Sequence, residues 1–267
     1  MGRNTILKKI SILTLAICLC LPVTASAAAD SYGWGFNKGK NGQPADAGPK
    51  FENMIKKSAA IYKGDPRKKE IYLTFDNGYE NGYTGDILNV LRRQHVPAAF
   101  FITGHYLKTA PELVVRMVKE NHIVGNHSWT HPDMSRSSDE VIRQELRRVK
   151  EETEKLTGQQ TMNYLRPPRG VFNERTMAVA KKEGYTHVFW SLAYRDWVVD
   201  QQRGAKYAYD EVMKQIHPGA ILLLHTVSKD NAEALDSIIT DLKKQGYVFK
   251  SLDQLMIDQQ LPSPMLY

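Results

Sequence analysis

Short apolar runs alternate with helix-like stretches about seven times from Glu70 onward, and this alternation constrains the fold more than any other feature of the sequence. No two runs are joined by a hairpin turn, so the strands are expected to be parallel and linked by helices. The pattern predicts an α/β fold, a deformed and incomplete (β/α) barrel with about seven parallel strands. The candidate strands are residues 71–75, 98–103, 122–124, 163–165, 187–191, 221–224 and 247–250.

The clearest predicted helix covers residues 139–156. Ser137 and Glu140 match a capping box, in which each side chain accepts a hydrogen bond from the other residue's backbone N–H. Gly158 is placed to end the helix. Side chains at steps of three and four predict one buried stripe, made of Ile142, Leu146, Val149, Thr153 and Leu156.

The sequence before residue 69 has a different character. Three basic residues, an apolar run and a small-residue A-S-A ending are typical of a cleaved secretory signal peptide over residues 1–27. Residues 28–68 are rich in Gly, Asn, Lys and Pro, which predicts an extended N-terminal arm with Trp34 and Phe36 as candidate anchors. The rest of the chain is assigned to a main domain, 69–256, and a C-terminal tail, 257–267.

Charge and cysteine content narrow the classes of partner and metal site. The formal charge of +7 falls by three, to +4, once the basic residues of the leader are removed. Such an excess favours a polyanion such as a bacterial wall and is too small to indicate nucleic acid. Both cysteines, Cys18 and Cys20, lie in the leader, so the mature chain offers no thiol nucleophile and any metal must be held by nitrogen and oxygen.

Polar residues follow five of the predicted strands directly: Asp76, His127 with His131, Arg166, Asp196 and His225. The carboxyl ends of parallel barrel strands open on one face, where active sites are built. Each residue alone has an ordinary alternative, such as a helix cap for Asp76, a rigid proline turn around Arg166, a salt-bridged turn at Asp196, or loop and core histidines. Their joint placement favours one functional cleft.

These residue types suit one kind of chemistry. Two imidazoles and an oxygen ligand leave open positions on a divalent ion, so the ion can hold a water and polarise a carbonyl. A nearby carboxylate then takes the proton of the water, and a histidine opposite protonates the leaving amine. The sequence therefore predicts metal-assisted hydrolysis of an ester or amide.

Five ordered motifs over roughly residues 70–255 resemble the polysaccharide deacetylases with a NodB homology domain, carbohydrate esterase family 4. The motifs are T-F-D-N-G at 74–78, H-S-W-T-H at 127–131, R-P-P at 166–168, D-W at 196–197 and L-L-L-H-T at 222–226. The resemblance implies a deformed (β/α) barrel that removes acetyl groups from N-acetylated sugars with one divalent metal ion, usually zinc.

The resemblance also implies a role for each matching residue. Asp76 is expected to be the base, oriented by Arg166, and His225 the acid, tuned by Asp196. His127 and His131 are expected to bind the metal. The pocket for the acetyl methyl group is expected to be walled by Trp197 and Leu222.

Three positions depart from the family pattern. Asn77 stands where a second aspartate is usual, Ala193 replaces the first Asp of D-x-x-D-W, and Arg169 replaces the aromatic residue that usually follows R-P-P. With Asn77 as the third ligand, the metal is expected to bind more weakly. Asn77, Arg169 and the arm around Trp34 look like the muramic-acid de-N-acetylase subgroup of sporulating bacteria, which prepares muramic δ-lactam in spore cortex peptidoglycan.

The predicted function is therefore a secreted amidase acting on N-acetylmuramic acid in peptidoglycan glycan strands of the cell wall or spore cortex, with no nucleic acid or protein partner inferred. Arg169 is expected to bind the lactyl carboxylate, the alternative being a surface ion pair with Glu174. Three other functions stay open: N-acetylglucosamine deacetylation in peptidoglycan or chitin, O-deacetylation of xylan, and glycan binding by a pseudoenzyme. In the pseudoenzyme, the metal would have been lost because Asn77 replaces an aspartate ligand.

Overall fold

The computed structural model describes residues 1–2, 30–39 and 42–260. Most of the predicted signal peptide lies outside these residues, as do both cysteines and residues 261–267 of the predicted tail. Within the described ranges, no helix is both long and apolar enough to cross a membrane.

Two short strands, β1 (Tyr32–Gly33) and β6 (Val171–Phe172), pair with each other, and all other strands form one main sheet. The sheet contains β2 (Glu70–Asn77), β3 (Ala98–Ile102), β4 (Ile123–Asn126), β5 (Tyr164–Leu165), β7 (Thr186–His187), β8 (Leu192–Ala193), β9 (Ala220–His225) and β10 (Val248–Phe249). Their spatial order is β7-β5-β4-β3-β2-β9-β8, with β10 paired to the start of β2.

Every pairing within the main sheet is parallel. The end strands β7 and β8 do not pair with each other in the described part of the chain, so the sheet is an incomplete barrel, as predicted. Each of the seven predicted strands corresponds to a strand of this sheet. The additional strand β8 was not predicted.

The helices follow the strands in the order that crossover connections require. They are α1 (Gly48–Ser58), α2 (Thr84–Gln94), α3 (Gly104–Thr109), α4 (Pro111–Lys119), α5 (Asp139–Thr157), α6 (Glu174–Lys182), α7 (Ala205–Gln215), α8 (Lys229–Lys244) and α9 (Leu252–Gln260). The helix α9 runs across the predicted boundary between residues 256 and 257, so the chain does not change character there.

The start of α5 differs from the sequence prediction by one residue. Ser138, not Ser137, is the N-cap, and its hydroxyl accepts a hydrogen bond from the Val141 N–H. The Ser137 hydroxyl instead donates to the backbone of the preceding turn. Gly158 ends the helix with a left-handed φ of 79°, as predicted. Leu156 is 38% exposed, so the buried stripe stops one turn earlier than expected.

The N-terminal arm is not extended throughout, because α1 forms in its middle. The helix begins beside a proline and has the buried residues Met54 and Ile55 on one face. Trp34 packs into an aromatic cluster on the main domain and so anchors the arm. The partly buried Phe36 lies outside that cluster.

Successive side chains of β2 point to opposite faces of the sheet and belong to two separate layers of the core. Leu73 and Phe75 point into the layer between the sheet and the outer helices, whereas Tyr72 points into the inside of the curled sheet. Successive strand residues face opposite sides, so strands buried on both faces give continuous apolar runs. Asp76, four residues after Tyr72, follows the inward register.

Candidate active site

The predicted polar residues converge at the carboxyl ends of the parallel strands. Asp76 lies at the end of β2 and is the register partner of His225 at the end of β9. His127 directly follows β4, and Arg166 directly follows β5. The fold therefore brings together residues that are far apart in the sequence, as predicted for strand ends on one barrel face.

Asp76 is held by a buried ion pair. Arg166 is fully buried, and its Nη1 donates to Asp76 Oδ1 at 2.9 Å. The guanidinium is fixed because its Nε donates to the Val188 carbonyl at 3.0 Å and its plane lies over the Phe101 ring. Burial by itself would raise the pKa of Asp76, but the neighbouring basic groups, Arg166 first among them, together outweigh it and leave the pKa below its ordinary value. Asp76 is thus an anion at neutral pH.

His127 is oriented with one ring nitrogen free. Its Nδ1 lies 2.8 Å from the Arg166 carbonyl oxygen, which can only accept, so Nδ1 carries the proton. Its Nε2 therefore keeps its lone pair and lies 3.5 Å from Asp76 Oδ2. His131 lies beside it, with 4.9 Å between ring centroids. Burial lowers the pKa of His127 and lowers that of His131 to about 4, so both rings are neutral and able to bind a metal.

The loop between the two histidines has an unusual backbone. Ser128 and His131 have positive φ values of 66° and 58°, in the left-handed region that few non-glycine residues adopt. The loop is stabilised because the Ser128 N–H donates to Asn126 Oδ1 and the His131 N–H donates to Ser128 Oγ. Strained residues of this kind cluster at functional sites.

Asn77 supplies the third candidate metal ligand, the neutral oxygen of its side-chain amide. Its Nδ2 donates to Thr226 Oγ1 at 2.8 Å, whereas its Oδ1 is buried and has no hydrogen-bond partner among the described residues. No group of three His, Cys, Asp or Glu side chains in the described ranges is arranged to hold a metal. Two neutral imidazoles and one orphaned amide oxygen do fit a divalent ion in donor type, and they supply no negative charge. Asn77 itself contributes no surface to the cleft.

The partly buried His225 and the buried Asp196 form a second pair. The His225 Nδ1 lies 2.7 Å from Asp196 Oδ1, and the His225 backbone N–H donates to Asp196 Oδ2 at 2.8 Å. Burial would lower the pKa of His225, but the charge and hydrogen bond of Asp196 outweigh it, so the pKa is raised. His225 therefore stays protonated to a higher pH than an ordinary histidine.

Asn231 is a functional residue that the sequence analysis missed. Its Nδ2 donates to Asp196 Oδ2 at 2.5 Å and to the His225 carbonyl at 3.1 Å. It thereby fixes both members of the pair. Nothing in the sequence marks it, because it lies within the first turn of α8 and outside every motif.

Asp76, His127, His131 and His225 line one cleft with a volume of about 640 Å³, which is the size of a small-ligand site. Arg166 and Asp196 lie behind this lining and contact it through Asp76 and His225. Three tryptophans line this cleft, and two of them, Trp129 and Trp190, were not predicted. Trp129 could have been predicted from its position between the two motif histidines. The lining residues include Asp76, Tyr79, His127, Trp129, His131, Arg169, Trp190, Trp197, Leu223 and His225.

The prediction for Leu222 is wrong. Leu222 is fully buried in the layer between the sheet and the helices, and its neighbour Leu223 lines the cleft instead. Because side chains alternate along β9, Leu223 shares the face of His225 and Leu222 does not. Trp197 does line the cleft, with its ring centroid 5.4 Å from that of His225, and it is 49% exposed. Ala193 on β8 is the register partner of Leu223.

Arg169 projects from a strained turn at the cleft. It is exposed, lines the cleft and has a positive φ of 57°. Within the described residues no carboxylate forms an ion pair with it, so the predicted alternative of a pair with Glu174 is not observed. A free guanidinium at the cleft is suited to binding an anionic substrate group.

Comparisons with known proteins agree with this geometry. The family model described as polysaccharide deacetylase matches residues 63–188. The peptidoglycan-N-acetylmuramic acid deacetylase PdaA of Bacillus subtilis is 54% identical over 87% of this chain and 89% of its own length. The solved structure of that protein, described as a family 4 carbohydrate esterase, superposes with a TM-score of 0.85 over 86% of this chain and 99% of that chain.

A second solved structure gives the same result. The family 4 carbohydrate esterase of Bacillus anthracis is 52% identical, with a TM-score of 0.73 over 85% of this chain and 97% of that chain. Both similarities cover at least 85% of this chain, and the predicted curled parallel sheet is confirmed at the level of the fold.

Proposed function

The chain belongs to the polysaccharide deacetylase family, and on that premise we propose that it is a metal-dependent amide hydrolase that removes the N-acetyl group from N-acetylmuramic acid residues of peptidoglycan glycan strands. The name of the Bacillus subtilis relative supports the substrate. The observation that carries the proposal is the free guanidinium of Arg169 in the same cleft as Asp76 and His225.

Arg169 can make the cleft bind muramic acid in preference to glucosamine. Muramic acid differs from glucosamine by a lactyl ether, which bears a carboxylate whenever no peptide is attached. A guanidinium binds a carboxylate through two parallel N–H bonds, and a charge-assisted contact contributes about 1.5 to 3 kcal/mol. The exposed Arg169 has no carboxylate of its own among the described residues and is therefore free to do so.

Asp76 acts as the base. It removes a proton from the water that attacks the acetyl carbonyl, and the Arg166 charge keeps it ionised. Because Arg166 is fully buried and fixed by backbone carbonyls, the carboxylate oxygens of Asp76 stay in one orientation. The pair is thus already arranged before substrate binds.

His225 acts as the acid. Its Nδ1–H donates to Asp196, which leaves Nε2 to carry a second proton that it gives to the leaving amine. The raised pKa of His225 keeps that proton present at neutral pH. Base and acid come from adjacent strands, so one acetamido group can lie between them.

Members of this family depend on a metal in general, and the proposed ligands here are His127, His131 and the amide oxygen of Asn77. When bound, a divalent ion, for which zinc is our proposal, supplies polarisation of the acetyl carbonyl and a lower pKa for water. The neutral imidazoles and the orphaned oxygen of Asn77 support this assignment.

The cellular context is part of the proposal. The leader-like sequence of residues 1–27 supports secretion to the cell wall or spore cortex. Deacetylation of muramic acid leaves an amine near the lactyl carboxyl, and closure of these two groups gives the muramic δ-lactam. A step towards δ-lactam formation during sporulation is therefore consistent with the proposed reaction.

Acetate release tests the proposal. The purified chain with added zinc is incubated with glycan strands freed of peptide, and the released acetate is measured. The products are then digested and analysed by mass spectrometry. We expect acetyl loss from muramic residues, slowed at least about a hundredfold in Asp76→Asn. Acetyl loss from glucosamine residues alone would instead make the protein a glucosamine deacetylase. Glycan binding without acetate release would make it a pseudoenzyme, and either result overturns the proposal.

A further inference from the structure

The N-terminal arm is attached directly to the turn that carries Arg169. Tyr32 and Gly33 of β1 pair antiparallel with Phe172 and Val171 of β6, which begins two residues after Arg169. The arm continues this pairing beyond the strand, because the Trp34 backbone N–H donates to the Gly170 carbonyl at 2.8 Å. The arm thus contacts the residue next to the proposed lactyl-binding group.

The turn itself has a backbone that needs support. Arg169 and Gly170 both have left-handed φ values, 57° and 66°. For arginine this conformation is strained, so it persists only where the surrounding structure fixes it. Within the turn, the Gly170 N–H donates to the Pro167 carbonyl at 2.9 Å.

The Trp34 side chain closes the turn from one side. A Cβ placed on Gly170 would lie 2.8 Å from the Trp190 ring and 3.1 Å from Trp34 Cβ, so the two tryptophans leave no spare room there. The Trp34 ring stacks on Phe189 with centroids 4.4 Å apart, and its Nε1–H donates to the Trp190 carbonyl at 3.0 Å. Trp34 therefore joins the arm, the turn and the cleft wall.

We propose that Trp34 is a positioning residue for Arg169, holding its turn so that the guanidinium meets the lactyl carboxylate of muramic acid. This inference rests on the proposed function, because it assigns Trp34 to the sugar choice of that same cleft. Trp34 lies outside the cleft lining, so it acts on the substrate through residues that do line the cleft, Arg169 among them. Small displacements of a binding group are costly, since a shift of about 1 Å reduces rates by up to about a hundredfold.

The test needs one readout for the turn and one for the sugar choice. Amide hydrogen exchange at Arg169 and Gly170 is measured for Trp34→Ala, Trp34→Phe and the matched control Phe51→Ala. The amide of Phe172 is left out because its ring packs on Phe51. Phe51 belongs to the same aromatic cluster and stacks on Trp34, but no hydrogen bond joins it to the turn in the described structure. The ratio of muramic to glucosamine deacetylation in one strand is measured for the same variants and for Arg169→Ala.

We expect Trp34→Ala to speed exchange in the turn and to lower the ratio on the order of tenfold. Trp34→Phe should have a smaller effect on exchange and on the ratio, because it keeps a ring on Phe189. Phe51→Ala should change neither the exchange nor the ratio. In an Arg169→Ala background, Trp34→Ala should not lower the ratio further.

Two results would overturn the inference in distinguishable ways. Unchanged exchange in the turn, or an equal effect of Phe51→Ala, would show that Trp34 does not position the turn, and the proposed function would be untouched. Faster exchange in the turn together with an unchanged ratio for Arg169→Ala would refute the lactyl contact itself, and the role of Trp34 in sugar choice would fall with it.

Discussion

Asp76 and His225 are register partners on the neighbouring parallel strands β2 and β9. Paired parallel strands lie about 4.8 Å apart, and register partners face the same side of the sheet. The proposed base and acid are thus held by backbone hydrogen bonds at a spacing that does not depend on loops. Arg166 then favours the charged form of Asp76, and Asp196 favours the charged form of His225.

Removing either proton-transfer group should reduce deacetylation without unfolding the protein. A positioned acid or base contributes about 10² to 10⁴ in rate, so Asp76→Asn and His225→Ala should each lose at least about a hundredfold in kcat. Both residues line the cleft, so little packing is lost, but Asp76→Asn leaves the buried Arg166 charge without its partner and should also lower the melting temperature. Initial rates of acetate release and thermal melting check this. Near-full activity in either variant would remove that residue from the mechanism.

Asp196→Asn should move the alkaline limb of the pH profile. Activity requires protonated His225, so it falls as pH rises through the pKa of that residue, which Asp196 raises. Without the carboxylate, burial remains and lowers the pKa, so the limb should move to lower pH. The dependence of kcat on pH measures the shift, with the exposed Asp200→Asn as the control. A limb that stays in place would show that His225 is not the titrating acid.

Asn77→Asp should tighten metal binding. The substitution adds a negative charge to a proposed ligand set whose two imidazoles are neutral, and Thr226 can donate its hydroxyl proton to the new carboxylate. Affinity for zinc should rise about ten- to a hundredfold, the effect of one charge-assisted contact. Isothermal titration measures it, and the gain should vanish when His131→Ala is added. No measurable metal in either form would refute the assigned ligands.

Leu222 and Leu223 should respond in opposite ways to truncation. Leu222→Ala opens a cavity in the core and should reduce the free energy of unfolding by about 2 to 5 kcal/mol, with the KM of the folded protein little changed. Leu223→Ala alters the cleft wall and should raise KM with a smaller loss of stability. Denaturant unfolding and steady-state kinetics separate the two. The reverse pattern would contradict the assignment of faces on β9.

The sequence predicted the sheet and the cleft because both depend on local patterns. Apolar runs marked the strands, and parallel strands necessarily bring their carboxyl ends to one face, so the pattern alone was enough to group Asp76, His127 and His225. The face of the sheet to which each side chain points was not predictable in the same way. An apolar run buried on both faces does not show which side each residue takes, and this is why Leu222 was assigned to the pocket in place of Leu223.

Features that depend on tertiary contacts were missed. Helix α1 is short and polar, and its stability comes from packing of Met54 and Ile55 on the domain. The choice of Ser138 over Ser137 as N-cap reflects the direction from which the chain approaches α5, since the Ser137 hydroxyl bonds the preceding turn. Asn231 lies far from Asp196 in sequence, so only the fold could reveal their contact.

The central claim is that the cleft selects muramic acid through Arg169, and the most direct test is the rate at both sugars of one peptide-free strand. For the unaltered protein we expect acetyl loss at muramic residues to exceed that at glucosamine residues by a wide margin. Arg169→Ala should reduce the muramic rate roughly ten- to a hundredfold and leave the glucosamine rate almost unchanged. Equal slowing at both sugars, or no slowing at either, would contradict the claim.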